Sequence, residues 1–483
     1  GTFLAEVVKH IHKKFEGQQG IWSKYVTNDL IPRLNGFELL MASYAMAHLK
    51  MDMLLTETGY RPTDDQRFKI FLTNSLEEPA EQNFDLFNWL ADEANQANTI
   101  KKDVPVMVVI GNPPYSISSY NQSPFIDKLM SLYREDVKDE KNIQLLSDDY
   151  AKFIRFCHYN VSKNKSGIIG LITKNTYLNV SAFKGMRKKL LEEFDKIYIL
   201  DLHGKMYEKC NDGSPNQNVF DIRVGTSIMF LIKNNTKNKK YGSLFFHDFN
   251  GTRESKYERL SFKTIDDIEW EELDIDEKYY FFEKKNFINK KDYDQGIEVD
   301  KLFNIYNSGI ETGRDHFIIG NSEIELKNRL NDFINSELSI KELREKYSLS
   351  DQPKFNLQSV KKQFKKLDIE KIQTYSHKPF LNRFVYYDSL LLRRHSDRVM
   401  NQFFNRTDNH MLLLKKRFLD DCYHHCFYTN KMTDRNFLSG QTYCFPLYLY
   451  DNETSSQTSL YTKKTRTPNL NPEIVKQIAE GLG

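Results

Sequence analysis

The sequence predicts an α/β fold with a doubly wound sheet in its first half, followed by a second domain of α+β character. Two observations predict this division. Short apolar strands alternate with helical segments as far as about residue 250, which is typical of sheets covered by helices on both faces. Beyond residue 300 that alternation gives way to mixed segments rich in Tyr, Phe, Arg and Lys. We therefore predict a first domain at 1–262, a polar linker at 263–300 and a second domain at 301–483.

The elements of the first domain follow from their apolar patterns. Helical spacing predicts a helix from Phe3 to Phe15 and a buried helix from Phe37 to Leu54, with further helices at 148–163 and 181–194. The predicted strands are Lys69–Leu72, Val104–Ile110, Gly167–Ile172, Ile197–Leu202 and Thr226–Ile232. Ligands of such sheets bind at the carboxyl ends of strands, so the residues that follow each strand are the candidate site.

The composition excludes several classes of protein. With 483 residues, 40% of them hydrophobic and 28% charged, the chain has enough apolar material for more than one packed core. Its longest purely apolar stretch, Val104–Ile110, is too short to cross a bilayer, so no membrane partner is expected. The five cysteines are scattered, which suits a reducing compartment and predicts a cytoplasmic protein. A net charge of +3 permits a nucleic-acid partner without requiring one.

The strongest motif is Gly111-Asn112-Pro113-Pro114-Tyr115, directly after the predicted strand Val104–Ile110. The prolines predict a rigid extended turn that presents the Asn112 amide and the Pro113 carbonyl to a planar amine. Two such acceptors suit the exocyclic amine of an adenine, because each takes one N–H and favours a pyramidal nitrogen. Tyr115 would stack on the base, which contributes about 1–3 kcal/mol. The alternative is a tight turn closed by a packed tyrosine.

With this motif in this place, the chain resembles the adenine-N6 DNA methyltransferases of the γ class. It is most similar to the methylase and target-recognition portion of type ISP restriction–modification enzymes, over nearly its whole length. The resemblance implies a Rossmann-like, S-adenosylmethionine-dependent methyltransferase sheet and a flipped adenine in double-stranded DNA as substrate. It also implies a prokaryotic source, with nuclease and motor domains upstream in the parent chain. The implied catalytic residues are Asn112, Pro113, Pro114 and Tyr115.

The resemblance also implies where the cofactor binds. A glycine-rich loop cradles it in the family, and the chain begins at what would be the final glycine of that loop. We therefore expect an N-terminally truncated sheet whose first strand and most of whose loop lie upstream. The implied cofactor contacts are Gly1, Thr2, Phe3, Glu38, Asn74 and Asn112. A solvated glutamate is the alternative for Glu38, and a loop-capping asparagine is the alternative for Asn74.

The second domain is expected to read DNA. Its segments Gly309–Asp315 and Lys378–Arg383 resemble those that begin and centre the target-recognition region of the family. Both lie in the mixture of basic and aromatic residues that is expected of a DNA-contacting surface, although an ordinary charged face would explain any single one. The expected DNA or target-base contacts are Phe220, Arg314, Lys378, Arg383, Arg393 and Arg394.

Other signals are weaker. Cys422, His424, His425 and Cys426 look like metal ligands, but no second pair at zinc-site spacing follows, so a packed strand and no metal are expected. No phosphate-binding loop of an ATPase occurs in the sequence. Two competing functions remain open: an Asn-Pro-Pro-Tyr methyltransferase acting on protein glutamine or RNA, and a non-catalytic DNA-binding specificity fragment. The long second domain favours DNA over the first of these.

Overall fold

The computed structural model describes residues 1–61, 67–77, 88–115, 119–140, 142–236, 238–353, 355–415, 424–450 and 466–482. It consists of two compact units, Gly1–Phe287 and Ile288–Gly483, each with its own buried core. Among the described residues, no helix combines the length and the apolar character needed to cross a membrane.

The first unit contains nine α-helices and eight strands among its described residues. The helices are α1 Thr2–Lys13, α2 Gln19–Tyr25, α3 Ile31–Arg33, α4 Met41–Glu57, α5 Asn88–Lys102, α6 Pro124–Arg134, α7 Asp149–Ser162, α8 Lys184–Glu193 and α9 Arg253–Phe262. The strands are β1 Asn35–Glu38, β2 Lys69–Leu72, β3 Val108–Gly111, β4 Gly167–Lys174, β5 Lys196–His203, β6 Thr226–Lys233, β7 Ser243–Asp248 and β8 Glu271–Leu273.

The strands of the first unit form a six-stranded sheet and a separate parallel pair. The large sheet has the order β3-β4-β6-β5-β7-β8, and the pair is β1-β2. Within the large sheet β3 and β4 are parallel, as are β5 and β7, whereas β6 is antiparallel to both of its neighbours. The predicted α/β class is confirmed: β6 and β8 are reversed, and the other four strands of the large sheet run parallel to one another.

Two elements of this unit differ from the sequence prediction. The helix predicted from Phe37 begins only at Met41, because Asn35–Glu38 pairs with β2 as a strand. Gly36 permits this, since a Cβ there would lie 3.0 Å from the Leu4 side chain of α1. The strand predicted at Val104–Ile110 is shorter and begins at Val108.

Four strand edges of the first unit have no partner among the described residues, and those of β1 and β3 are two of them. β1 pairs only with β2, and β3 pairs only with β4. Apolar side chains are exposed at the start of β3: Val108 is 61% exposed, and Met107, just before the strand, is 52% exposed. Such an edge is normally covered or paired.

The segment predicted as a linker belongs to the first unit as far as Phe287. β8 extends the sheet by pairing with β7, and Phe282 is completely buried in the core. The buried guanidinium of Arg187 donates to the carbonyls of Tyr279 and Tyr280, each at 2.7 Å. The acidic sequence around these aromatic residues concealed their role in packing.

The second unit is built from short elements around two four-stranded sheets. Its helices are α10 Lys290–Gln295, α11 Val299–Leu302, α12 Asp315–Ile318, α13 Glu323–Asn335, α14 Ile340–Lys346, α15 Leu357–Gln363, α16 Asp397–Met400 and α17 Pro472–Leu482. Its strands are β9 Asn307–Ser308, β10 Ile319–Gly320, β11 Ile372–Lys378, β12 Leu381–Tyr386, β13 Met411–Lys415, β14 Cys426–Thr429, β15 Met432–Thr433, β16 Thr442–Pro446, β17 Tyr448–Tyr450 and β18 Arg466–Pro468. The sheet orders are β10-β12-β11-β15 and β14-β13-β16-β9, with β17-β18 as a separate pair. The predicted α+β character is confirmed.

Candidate functional site

Three strands of the first unit end in residues that the sequence predicted for the site. Glu38 is the last residue of β1, Asn74 follows β2, and Asn112 follows β3. The N–H of Thr73 donates to the carbonyl of Glu38 at 2.8 Å, which joins the first two strand ends. The Asn74 amide donates to Oδ1 of Asn121 at 2.8 Å. Since Asn121 lies in the segment between β3 and α6, the third strand end is connected to the other two.

The Asn-Pro-Pro-Tyr turn leaves its amide exposed and its tyrosine half-buried. Pro113 is buried, which fixes the turn against the sheet, and Pro114 is exposed. The Tyr115 hydroxyl donates to Oδ1 of Asn112 at 3.2 Å. Burial raises the pKa of Tyr115 to about 12, so the hydroxyl keeps its proton at physiological pH. The acceptor predicted for the target amine therefore already has a donor from its own turn.

Tyr115 packs on a buried aromatic ring, that of Tyr150, which forms the floor of the turn. Its ring meets that of Tyr150 edge-on, with centroids 6.4 Å apart and planes at 90°. Tyr150 is 1% exposed, and its pKa lies well above the usual value, first because of burial and then because of the carboxylate of Asp148. The Lys174 ammonium lies 5.4 Å from the Tyr150 ring centroid and 2.5 Å from the Asp148 carboxylate. A buried ion pair on the strand next to β3 thus supports the aromatic floor.

A second network holds the segment that follows the turn. Asp149, at the start of α7, accepts hydrogen bonds from the Ser119 hydroxyl at 2.5 Å and the Asn121 amide at 2.9 Å. Lys152 also donates to the Ser119 hydroxyl, at 2.9 Å, and to the Asn121 carbonyl. Sequence reasoning missed this network. The only available signal was the pair of acidic residues at the start of a predicted helix, which usually indicates capping.

Glu38 and the start of α1 are cofactor contacts that the sequence predicts, and that role stays a prediction. One Glu38 oxygen accepts from the N–H groups of Leu39 and Leu40, at 2.9 and 3.1 Å, and so fixes the carboxylate at the strand end. Because a carboxylate has about four acceptor positions, capacity for ribose hydroxyls remains. Gly1 packs against α4, since a Cβ on it would lie 3.1 Å from Cα of Ala47. Thr2 and Phe3 are exposed in the first turn of α1.

The side chain of Asn74 caps its own loop. Its Oδ1 accepts from the N–H of Leu76 at 3.0 Å, while its amide nitrogen donates to Asn121 and, at 3.2 Å, to Glu77. The buried ammonium of Lys101 donates to the Asn74 carbonyl at 2.7 Å, and burial lowers the pKa of Lys101 to about 8. The loop-capping alternative therefore describes the side chain of Asn74 in this structure. Its contact with the cofactor adenine stays a prediction.

Phe220 lies at a cleft of about 740 Å³ that the loop between β5 and β6 lines together with the start of α9. Its half-buried side chain packs against a small apolar cluster that includes Leu202 and Phe249, and its N–H donates to Oδ1 of Asn218 at 2.8 Å. Next to this cleft, burial lowers the pKa of His203, but hydrogen bonds to Asp248 and Glu208 outweigh burial and raise it to about 10. The cleft therefore has a cationic imidazole at its edge.

Arg314, predicted as a DNA contact, is a buried residue of the second unit. It is 5% exposed, it donates to the carbonyls of Leu391 and Thr312, and its guanidinium carbon lies 3.7 Å from the Phe355 ring centroid. Burial lowers the pKa of Arg314 to about 10. The prediction of a surface contact is therefore wrong for this side chain. Its position within a basic and aromatic segment gave no sign of burial.

The other predicted basic contacts occupy two places in the second unit. Arg393 and Arg394 are exposed and adjoin Glu311, whose carboxylate pairs with Arg393 at 3.1 Å. Lys378 and Arg383 belong to the hairpin of β11 and β12. Lys378 donates to the carbonyl of Asn436 at 2.5 Å, and the buried Nε of Arg383 has no hydrogen-bond partner among the described residues.

The described residues contain no group of three or more His, Cys, Asp or Glu side chains arranged to hold a metal. Cys426 opens β14, with His424 and His425 just before it. The fourth member of the predicted cluster, Cys422, lies outside the described residues.

Two segments of the sequence match known families. Residues 36–207 match the Eco57I restriction-modification methylase family, and residues 301–483 match the Type ISP C-terminal specificity domain. The chain thus combines a restriction–modification methylase domain with a Type ISP specificity domain. The predicted resemblance and the Rossmann-like methylase fold are confirmed.

Solved structures show the same fold over the whole chain. The ATP-dependent Type ISP restriction-modification enzyme LlaBIII bound to DNA is 23% identical with a TM-score of 0.69, over 99% of this chain and 32% of that chain. A nuclease-deletion mutant of the Type ISP enzyme LlaGI with a DNA substrate mimic is 19% identical with a TM-score of 0.67, over 100% and 40%. The DrdV–DNA complex is 20% identical with a TM-score of 0.64, over 100% and 47%. The chain therefore spans a third to a half of the length of these proteins.

Proposed function

We propose that this chain is the methyl-transferring and target-recognising part of a site-specific DNA methyltransferase that acts on N6 of adenine in a restriction–modification system. The observation that carries the proposal is the turn at the end of β3, where the exposed Asn112 amide stands beside the half-buried Tyr115 ring. The membership of residues 36–207 in a restriction–modification methylase family supports it.

The turn can prepare an amine for methylation without a strong base. Oδ1 of Asn112 and the Pro113 carbonyl each accept one N–H of the adenine amine, which draws its lone pair out of conjugation with the ring. S-adenosylmethionine supplies the methyl group when it is bound. The methylated nitrogen is acidic, so its surplus proton leaves to water. The incoming amine displaces the Tyr115 hydroxyl from Oδ1 of Asn112, and the Tyr115 ring holds the flipped base by stacking.

The chain's own residues fit the cofactor in part. Glu38 has a fixed carboxylate at a strand end with acceptor capacity for the two ribose hydroxyls. Thr2 and Phe3 open α1, where the first N–H groups have no partner within the helix and favour an anionic group such as a carboxylate. Asn74 acts mainly by ordering the loop that would border the cofactor adenine. Asn112 would contact the target base, and Asn121, in the segment that follows, bonds with Asn74 of this loop.

Double-stranded DNA is the proposed partner of the second unit. The three similar enzymes were all solved with DNA or a DNA mimic, and the matched domain is a specificity domain. Lys378, Arg383, Arg393 and Arg394 would contact the duplex, while Arg314 would support them from the core. Nuclease and motor domains upstream are proposed for the parent chain, as the sequence resemblance implies.

The proposal is tested by methyl transfer from labelled S-adenosylmethionine to mixed-sequence duplex DNA, with products digested to nucleosides. The 483-residue chain is compared with a version that includes any natural sequence preceding Gly1. Asn112→Ala should abolish N6-methyladenine, whereas Asn142→Ala, which removes an exposed amide elsewhere, should not. Label in protein or RNA instead would support the competing substrate class. DNA binding without transfer in either version would support a specificity fragment.

A further inference from the structure

The tip of the hairpin formed by β11 and β12 presents a phenylalanine in an unfavourable backbone conformation. Lys378 pairs with Leu381, so Pro379 and Phe380 are the two turn residues. Proline at the first position and a positive φ at the second are the marks of a type II turn, which normally has glycine or asparagine at the second position. Phe380 occupies that position with φ of 63°.

Packing within the protein does not compensate for this conformation. Phe380 is 99% exposed, so it buries almost no apolar area. Its one ring contact with the described residues is with Phe427, edge-on at a centroid distance of 6.3 Å. A bulky residue with positive φ is strained, and such strain persists mainly where a function requires the side chain. An exposed phenyl ring in place of a glycine indicates that the ring acts on something outside the unit.

The hairpin is a rigid support for this ring. β11 and β12 are the two central strands of a four-stranded sheet, with β15 and β10 as their outer partners. The ammonium of Lys378 is fixed by the carbonyl of Asn436. A register shift between Ser376 and Lys378 kinks β11 just before the turn, as β-bulges do where a strand redirects its side chains.

The charge of the hairpin favours a polyanion. Between Glu370 and Asp388 the sequence contains no acidic residue, whereas Lys378 and Arg383 lie within three residues of Phe380. Arg383 makes no ion pair with the described residues, and its buried Nε has no hydrogen-bond partner there. Arginine binds phosphate oxygens through its fork of N–H donors.

We propose that Phe380 is a wedge that enters the base stack of duplex DNA while Lys378 and Arg383 bind the adjacent phosphates. Apolar side chains used in this way unstack one base step and bend the duplex. A protruding ring on a stiff hairpin suits this role better than a mobile loop, because little ordering is needed on binding. The inference rests on the proposed function, since it requires the second unit to bind DNA.

The experiment uses the full chain and a duplex with a randomised core. Binding is measured together with permanganate oxidation of thymines, which detects bases that have become unstacked. Phe380→Ala should weaken binding by about 5- to 150-fold, the range that one base–aromatic stack contributes. It should also remove the oxidised thymine. Phe380→Trp should preserve both properties, and Phe262→Ala, which removes an 81% exposed ring at the end of α9, should leave them unchanged.

Phe380→Gly separates the wedge from a structural role. It relieves the positive φ, so the midpoint of thermal unfolding should rise by a few degrees while DNA binding falls as in Phe380→Ala. A lower midpoint would overturn the proposal by showing that the ring supports the fold. Tyr115→Ala, which removes the predicted stacking of a flipped base, should leave the wedge-dependent oxidation in place.

Two further outcomes distinguish the wedge from the proposed function. If Phe380→Ala binds DNA as the unaltered chain does, with the same oxidised thymines, the wedge is wrong and the proposed function stands. If it weakens binding but leaves the oxidation pattern unchanged, Phe380 is a surface contact and the wedge is again wrong. If the unaltered chain binds no duplex, the proposed function and the wedge fall together.

Discussion

Removing the hydroxyl of Tyr115 alone should strengthen the binding of the target base, whereas removing the whole ring should weaken it. The hydroxyl donates to Oδ1 of Asn112 at 3.2 Å, and this is the acceptor that the proposed mechanism assigns to the adenine amine. The incoming base must therefore displace one hydrogen bond before it makes its own. Tyr115→Phe frees the acceptor and keeps the stacking surface, and Tyr115→Ala frees the acceptor but loses that surface.

The two effects differ in sign and in size. A protein hydrogen bond of this kind contributes about 0.5–1.5 kcal/mol net, which corresponds to a roughly two- to tenfold lower KM for DNA in Tyr115→Phe. The 3.2 Å distance favours the lower end of that range. Loss of base stacking is worth about 1–3 kcal/mol, so Tyr115→Ala should raise KM by roughly 5- to 150-fold. Ionisation of the hydroxyl does not interfere, because its pKa is raised to about 12.

Initial rates of methyl transfer at varied duplex concentration give KM for DNA in both variants. The matched control makes each change at Tyr115 in the Asn112→Ala background. Tyr115→Phe should give no gain when combined with Asn112→Ala, because the acceptor that it frees has been removed. Equal losses in Tyr115→Phe and Tyr115→Ala would refute the reasoning. So would a gain in Tyr115→Phe that persists without Asn112.

Three other predictions concern the supports of the site. Asn74→Ala should raise KM for both S-adenosylmethionine and DNA, because the Asn74 side chain joins the two binding regions. Glu38→Ala should raise KM for the cofactor alone. Initial rates with each substrate varied in turn measure these KM values, and a rise in KM for DNA in Glu38→Ala would contradict the prediction. Arg314→Met should lower the free energy of unfolding of the second unit by about 3 kcal/mol in urea, since it leaves buried carbonyls without a donor. The control Arg393→Ala should change that free energy by less than about 0.5 kcal/mol and weaken only DNA binding. His203 has a pKa raised from 6.5 to about 10, so the stability that it confers should be fully present below pH 6.5 and disappear as pH rises to about 10. Urea midpoints of the unaltered chain and His203→Gln should therefore converge near pH 10, and a constant gap between them would contradict the pKa.

Local sequence predicted those features that local chemistry determines. The turn after β3 could be placed because an apolar run and two prolines act on neighbouring residues only. β1 was assigned to a helix from Phe37 onward because it is four residues long and has no alternation of its own. It is a strand only because it pairs with β2, which lies more than thirty residues later. β8 was assigned to a linker for the same reason, since its partner β7 and the packing of Phe282 are invisible in the acidic sequence around them.

The residues of the site were easier to predict than their partners. Glu38 and Asn74 are predicted from the resemblance to the methyltransferase family, and Asn112 is predicted from the Asn-Pro-Pro-Tyr motif after a predicted strand. In the structure each lies at or just after the end of a parallel strand. Their hydrogen bonds could not be predicted, because Asn74 meets Asn121 across 47 residues of sequence and Asp149 meets Asn121 across 28. The prediction for Arg314 is wrong for the opposite reason. A basic residue in a basic segment is expected at the surface, and the contact with Phe355 that buries Arg314 is not visible in the local sequence.

The hydrogen bond from Asn74 to Asn121 connects two parts of the first unit that share no strand pairing. β1 and β2 carry the predicted cofactor contacts, and β3 carries the turn for the target amine, yet the two sheets are separate among the described residues. Asn121 is in turn fixed by Asp149 at the start of α7, which follows directly on Asp148, the partner of Lys174 under Tyr150. The loop that would border the cofactor and the floor under Tyr115 are therefore attached to the same helix start. Methyl transfer needs the donor and the acceptor atoms within a few tenths of an ångström of their reacting positions, and a shared anchor of this kind would contribute to that alignment.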